Sequence, residues 1–219
     1  MNEQIIKLLL TGLGETFYMV ILSTVFSYLL GVPLGVVLFI TDENGIRQNR
    51  IVNIICGFIV NVIRSVPFLI LLVAILPFTR FLIGTTIGST ATVVPLVVAA
   101  APFVARIVES SLKEVDPGVI EAAKAFGSST WQIVFKVLIP EARPSLFVGV
   151  IISFVTILGY SAMAGFVGGG GLGSIAVNYG YYRYKTDVML ITIAVLVAIV
   201  QVFQVVGLRL VNKLDKRIK

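Results

Sequence analysis

The chain has 219 residues, of which 58% are hydrophobic and only 13% charged, and its mean hydropathy is +1.03. A soluble domain is nearer a quarter charged, so most of this chain could not be solvated and it reads as an all-α integral membrane protein. The net charge of +6 is carried by Lys and Arg beside apolar stretches rather than along one exposed face, which argues for topology signals and against nucleic acid. With no histidine and a single cysteine, Cys56, the commonest general base and any intrachain disulfide are excluded.

The first residues, MNEQIIKLLLTGLGE, carry mixed charges and do not resemble a secretory signal. Charge-free windows then predict five transmembrane helices over about 17–40, 54–78, 86–108, 145–167 and 188–209. The first window, of 24 residues, makes a helix of roughly 36 Å, enough for a hydrocarbon core of about 30 Å. The second contains Arg64, the one charge inside a span, followed by Ser65-Val66-Pro67. An intramembrane charge suggests a place on a pathway or gate, and the alternative is that Arg64 snorkels to the interface or braces another helix. Pro67 is expected to kink that span or free backbone carbonyls.

Between the third and fourth spans lies the largest polar piece, about 109–143. Asp116-Pro117 offers a helix start, Gly127 a left-handed C-terminal cap, and Ser129 with Gln132 a capping box. Two short helices meeting at a bend are predicted, closed by Pro140. Ala122, Ala123 and Ala125 give a low-profile face flanked by the charges of Glu121 and Lys124. Such a face suits close approach by another protein, although a solvated connecting hairpin would look the same.

The fourth span carries Tyr160, Ser161 and Met163 just before the run Gly168–Gly171 and Gly173. These three could line a path or serve as ordinary packing. The glycine run lacks the Lys-Ser/Thr of a phosphate loop and is expected to form a flexible or tight outer turn. No Walker sequence, metal cluster or nucleophile–base pair can be assembled, so neither a catalytic nor a metal site is expected. No internal repeat is visible.

Five spans put the termini on opposite sides. One side collects Arg47, Arg50, Arg106, Lys113, Lys124, Lys136, Arg143, Arg209, Lys213, Lys216, Arg217 and Lys219, twelve basic residues; the other has Lys7, Arg80, Arg183 and Lys185, which is four. The positive-inside rule then places the 109–143 loop and C-terminus in the cytoplasm and the N-terminus outside. Every Asp and Glu is expected outside the spans or at their edges.

The spacing Glu121-Ala122-Ala123, three residues, Gly127, nine residues, Val137-Leu138-Ile139-Pro140 resembles the cytoplasmic signature of bacterial ABC-importer permeases, with Ile139 where Leu is usual. The runs NVIRSVPFLILL, LPFTRFLIGTTIG, VPLVVAAAPFVARIVE and GYSAMAGFVGGGGLG are similar to permeases of the methionine-uptake type. The resemblance implies a type I importer permease in the bacterial inner membrane, paired with a second copy of itself. It implies that Glu121, Ala122, Ala123, Lys124, Gly127 and Pro140 belong to a coupling-helix loop docked on two ATP-binding subunits, which would hold ATP and magnesium. A methionine-binding lipoprotein or periplasmic protein is implied outside. The fourth span is implied to border the translocation path, and Met163 is the foremost candidate for it among the residues of that span.

Overall fold

In the computed structural model residues 3–214 are described, with side chains as far as Val211. Lys216, Arg217 and Lys219, counted above among the cytoplasmic charges, lie outside the described residues, as does the side chain of Lys213. Every regular element among them is helical. Four helices are long and apolar enough to cross a membrane: α1 (Glu3–Thr41), α5 (Ser89–Lys113), α9 (Arg143–Met163, extended by a 3-10 turn to Val167) and α11 (Thr186–Leu214). The bent pair α2 (Arg50–Ser65) and α3 (Phe68–Ala74) is apolar enough to count as a fifth when taken as one span, and α4 (Leu76–Ile83) follows it.

Helix α1 begins well before the expected start near 17. Lys7, Gly12, Gly14 and Glu15 break the charge-free window without breaking the helix. Its seam against α5 is a stripe of small side chains, Ser23, Ser27, Gly31 and Gly35, all buried. A Cβ on Gly31 would stand 2.8 Å from the carbonyl oxygen of Ala101, and one on Gly35 would stand 2.5 Å from that of Ala105. The two backbones therefore touch, as small residues allow in membranes where packing replaces the hydrophobic effect between helices. The rest of the α1 surface presents Val25, Phe26, Leu29 and Leu30 outward.

The second span is broken rather than kinked. α2 and α3 meet at 104°. Val66 (φ −82°, ψ 126°) and Pro67 (φ −55°, ψ 135°) are both extended, because proline lacks an N–H and forces its predecessor out of the helical region.

The glycine run is a stapled turn and not a flexible loop. Gly168, Gly170 and Gly171 have φ of 79°, 83° and 71°, values open to glycine at little cost. The chain then re-enters the protein as α10 (Gly171–Ile175), continued by a π turn to Tyr181. Glu15 and Thr16 of α1 accept the first amides of α10: Gly171 N–H donates to Glu15 Oε2 at 2.6 Å and Leu172 N–H to Thr16 Oγ1 at 2.9 Å. The carboxylate therefore satisfies a helix start that has no intrahelical acceptor. Gly165 and Gly173 let α10 fold back on the end of α9, since a Cβ on Gly165 would lie 2.4 Å from the Gly173 backbone.

Candidate functional site

At the end of the molecule where α1 stops and α9 starts, the chain leaves the bundle as α6 (Pro117–Ala125), α7 (Thr130–Ile133) and α8 (Ile139–Glu141). The Asp116 carboxylate accepts the Gly118 N–H at 2.7 Å. At the other end the Ser128 N–H donates to the Ala123 carbonyl (3.1 Å) and the Gly127 N–H to that of Lys124 (2.9 Å), with Gly127 at φ 74°. That pair of bonds is a Schellman motif, with Gly127 as the left-handed cap the sequence suggested. The Ser129–Gln132 capping box is reciprocal.

Pro140 does not close the segment. A π turn, Val134–Leu138, in which the Ile139 N–H reaches the Val134 carbonyl, widens the helix ahead of the proline. The missing N–H and the ring clash are absorbed there, and the chain passes through Pro140 into α9.

No residue of α6 is buried. Glu121, Ala122, Lys124 and Ala125 are exposed, whereas Ala123 turns inward with Ile120 against the core around Val115 and Leu138. The most conspicuous side chain is one the sequence reading passed over: Phe126, 90% exposed at the tip. Trp131 and Phe135, also exposed, stack on one another at 5.9 Å between centroids. A bulky ring between an Ala-rich helix and its capping glycine was the available signal.

Behind this projection, charges tie three helices together. Glu109 is 6% exposed; its Oε2 accepts from Arg106 Nη1 at 2.6 Å and its Oε1 from Lys113 Nζ at 2.9 Å. Arg106 Nη2 also donates to Asn61 Oδ1 on α2 (2.9 Å), and Lys113 pairs with Asp42 after α1 (2.8 Å). The hydrogen bond from Lys113, more than any other cause, holds the Asp42 carboxyl below its ordinary range. Glu109, taken from the sequence as the start of the polar loop, is instead buried in the last turns of α5, where flanking cations compensate it.

The pathway candidates are divided by the fold. Arg64 and Tyr160 come together, lining a cavity of about 240 Å³ with Phe68, Ala99 and Phe103. The Tyr160 ring lies flat on Phe68, with centroids 4.4 Å apart and planes within 6°. Ser65, at the end of α2, turns its hydroxyl back to the Asn61 carbonyl (2.8 Å). Ser161 is buried and donates to the Leu158 carbonyl (2.8 Å). Both hydroxyls are occupied by their own helices. Met163, the last residue of α9, is exposed one turn beyond Tyr160. It stands at the opposite end of α9 from the α6 projection.

The chain is similar to known transport proteins over nearly its whole length. It is 48% identical over 210 residues to a probable D-methionine transport system permease protein of Vibrio cholerae, covering 96% of this chain and 93% of that one. It is 44% identical over 180 residues to a methionine import system permease protein of Bacillus subtilis, covering 82% of this chain and 81% of that one. Its structure superposes with a TM-score of 0.97 on a chain from crystals of a methionine ABC transporter in inward-facing conformations, at 45% identity, covering 99% of this chain and 100% of the other. Residues 31–219 match the family described as binding-protein-dependent transport system inner membrane components, and the chain belongs to that family.

Proposed function

We propose that this chain is the membrane-spanning permease subunit of an ATP-driven importer that carries methionine into the cytoplasm. The observation that carries this reading is the α6 projection of a family member. It is a nine-residue helix with no buried residue, capped at both ends and bearing an exposed phenylalanine. A helix so fully specified and so little used by its own chain is shaped for a partner.

Two copies, in a type I importer arrangement, would border one path, since five crossings leave little wall around a channel. Two ATP-binding subunits would dock on α6, with Glu121 and Lys124 orienting them, and would hold the ATP and magnesium. Hydrolysis belongs to those subunits and the permease itself is not an enzyme. A methionine-binding lipoprotein or periplasmic protein would deliver cargo outside, where the N-terminus lies, while the C-terminus lies in the cytoplasm and lipid surrounds the outer faces. Motion of α6 would reach the spans through Lys113, Glu109 and Arg106. Arg64, Tyr160 and Met163 would line the path and its gate. The methionine assignment is supported by the names of the relatives.

A gradient-driven carrier is the rival reading. The buried carboxylate such a carrier would titrate, Glu109, has both oxygens bonded to cations, which disfavours it. The test is uptake of labelled methionine into proteoliposomes holding the permease with its ATP-binding subunit and binding protein. Uptake is expected to require ATP on the α6 side and to survive collapse of proton and sodium gradients. Gradient-driven uptake without ATP would reverse the conclusion.

A further inference from the structure

We propose that the cavity at the break of the second span is a cargo subsite in which Arg64 takes the carboxylate of a small apolar amino acid. The proposal rests on the importer reading and adds a site to it. Arg64 follows the start of α2 at Arg50 by fourteen residues, roughly 21 Å of helix, and is exposed at the α2–α3 break. With α2 and α3 taken as one span of a core about 30 Å thick, a guanidinium at that depth is costly unless an anion or water meets it.

Among the described residues no carboxylate is bonded to it. Arg64 makes no hydrogen bond or ion pair among the described residues, and the acid of the nearby α2–α5 contact, Glu109, is spent on Arg106 and Lys113. Arg106 in turn takes the side-chain oxygen of Asn61, one turn below Arg64 on α2. Arg106, Glu109, Lys113 and Asp42 are thus paired among themselves, and Arg64 is left open to an incoming anion.

The surroundings define what the anion is attached to. Arg64 opens on a cavity of about 240 Å³ walled by Phe68, Phe103, Ala99 and Tyr160, smaller than the roughly 300–1,000 Å³ of drug-sized pockets and suited to a single amino acid. A planar guanidinium grips a carboxylate through two parallel hydrogen bonds. The edges of the stacked Phe68 and Tyr160 rings offer an apolar side chain, and a thioether above all, a polarizable wall. Helix α2 also ends here, its Ile63 carbonyl taking the Val66 N–H, and unpaired carbonyls at such a break can accept from an ammonium group. The site sits one helical turn inside Met163, where cargo would rest after passing it.

Equilibrium binding of radiolabelled methionine to the purified permease–ATPase complex, without binding protein, tests this. Arg64→Gln is expected to weaken binding at least about tenfold, Arg64→Lys, which keeps the charge and loses the paired bonds, to weaken it less, and methioninol, which lacks the carboxylate, to compete poorly. Assembly of each variant is checked by retention of the ATP-binding subunit, and Phe103→Ala serves as a second variant expected to weaken binding without touching the charge. Unchanged binding in Arg64→Gln, or methioninol competing as well as methionine, overturns the subsite. If the wild-type complex imports methionine with ATP while Arg64→Gln binds as wild type does, the subsite falls and the importer stands. If the wild-type complex imports none, the importer reading itself has failed.

Discussion

Gly127 shows how one residue acts through conformation alone. Its φ of 74° lies in the left-handed region, yet a Cβ placed there would meet nothing within 4 Å. Gly127→Ala therefore costs about 1–2 kcal/mol of backbone strain with no clash inside the chain. Amide exchange across 117–128 is expected to quicken by about tenfold while the melting temperature of the bundle holds, as hydrogen–deuterium exchange would show. Glu109 is the opposite case, a residue that acts through charge. Glu109→Gln leaves Arg106 and Lys113 short of a counter-charge and is expected to destabilise the protein by about 3 kcal/mol. That is the lower end for a broken buried pair, because Lys113 keeps Asp42. The Asp42 carboxyl, held below its ordinary 3.8 by Lys113, stabilises the fold in full above that value and is lost only as pH falls through the depressed one. The stability difference between wild type and Asp42→Asn should thus stay constant down to about pH 5 and close only in stronger acid.

Elements in this protein are placed by what they lack. Helix α10 reaches the end of α9 because Gly173 has no side chain: a Cβ there would lie 2.3 Å from the Ala162 carbonyl oxygen. Gly173→Val is expected to push α10 away, release the Glu15 and Thr16 bonds to its first amides and lower thermal stability by at least about 2 kcal/mol. Fluorescence-monitored melting in detergent is the measurement. Helix α6 is held at its ends and touches the core only through Ile120 and Ala123, so its outer face can change without cost to the fold. Phe126→Ser should leave the melting temperature within about 1 °C, since surface changes away from packing are nearly neutral, while the purified complex loses ATP-binding subunits or couples poorly. Full retention and normal uptake would show that the exposed ring is not part of the docking surface.

At the scale of the molecule, the two ends of the bundle are chemically distinct. One carries Arg47, Arg50, Lys113, Lys124, Lys136 and Arg143 around α6; the other carries the stapled glycine turn and Tyr179, on whose ring Arg183 lies at 4.6 Å. Single cysteines at Asn44 and Ser128 in a Cys56→Ala background should be labelled from the cytoplasmic side, and those at Glu3 and Tyr184 from the outside. Gly170 would be a poor probe, because its φ is 83° and a Cβ would press to 2.6 Å on Ser89 Oγ; Tyr184, 88% exposed, is the better one. An inverted pattern would put α6 on the wrong side for an ATP-binding partner.

Local signals were legible in the sequence wherever the physics is local. Asp116, Gly127 and Ser129 with Gln132 mark caps whose bonds run only two to five residues along the chain, and Pro67 breaks its span through its own ring. Apolar windows long enough for a bilayer likewise need no knowledge of neighbours. What only the tertiary structure decided depends on residues far apart. Glu15 looked like a flank of the first span until Gly171, 156 positions on, donated to it. Pro140 read as a stop because the compensating π turn is invisible to a helix-period pattern. Glu109 read as loop because burial of a carboxylate depends on the cations that fold around it, one of them a lysine shared with Asp42, just beyond the end of α1. Arg64 and Tyr160 share a cavity for the same reason: a sequence can mark a charge and a ring, and the crossing of helices decides that they face one space.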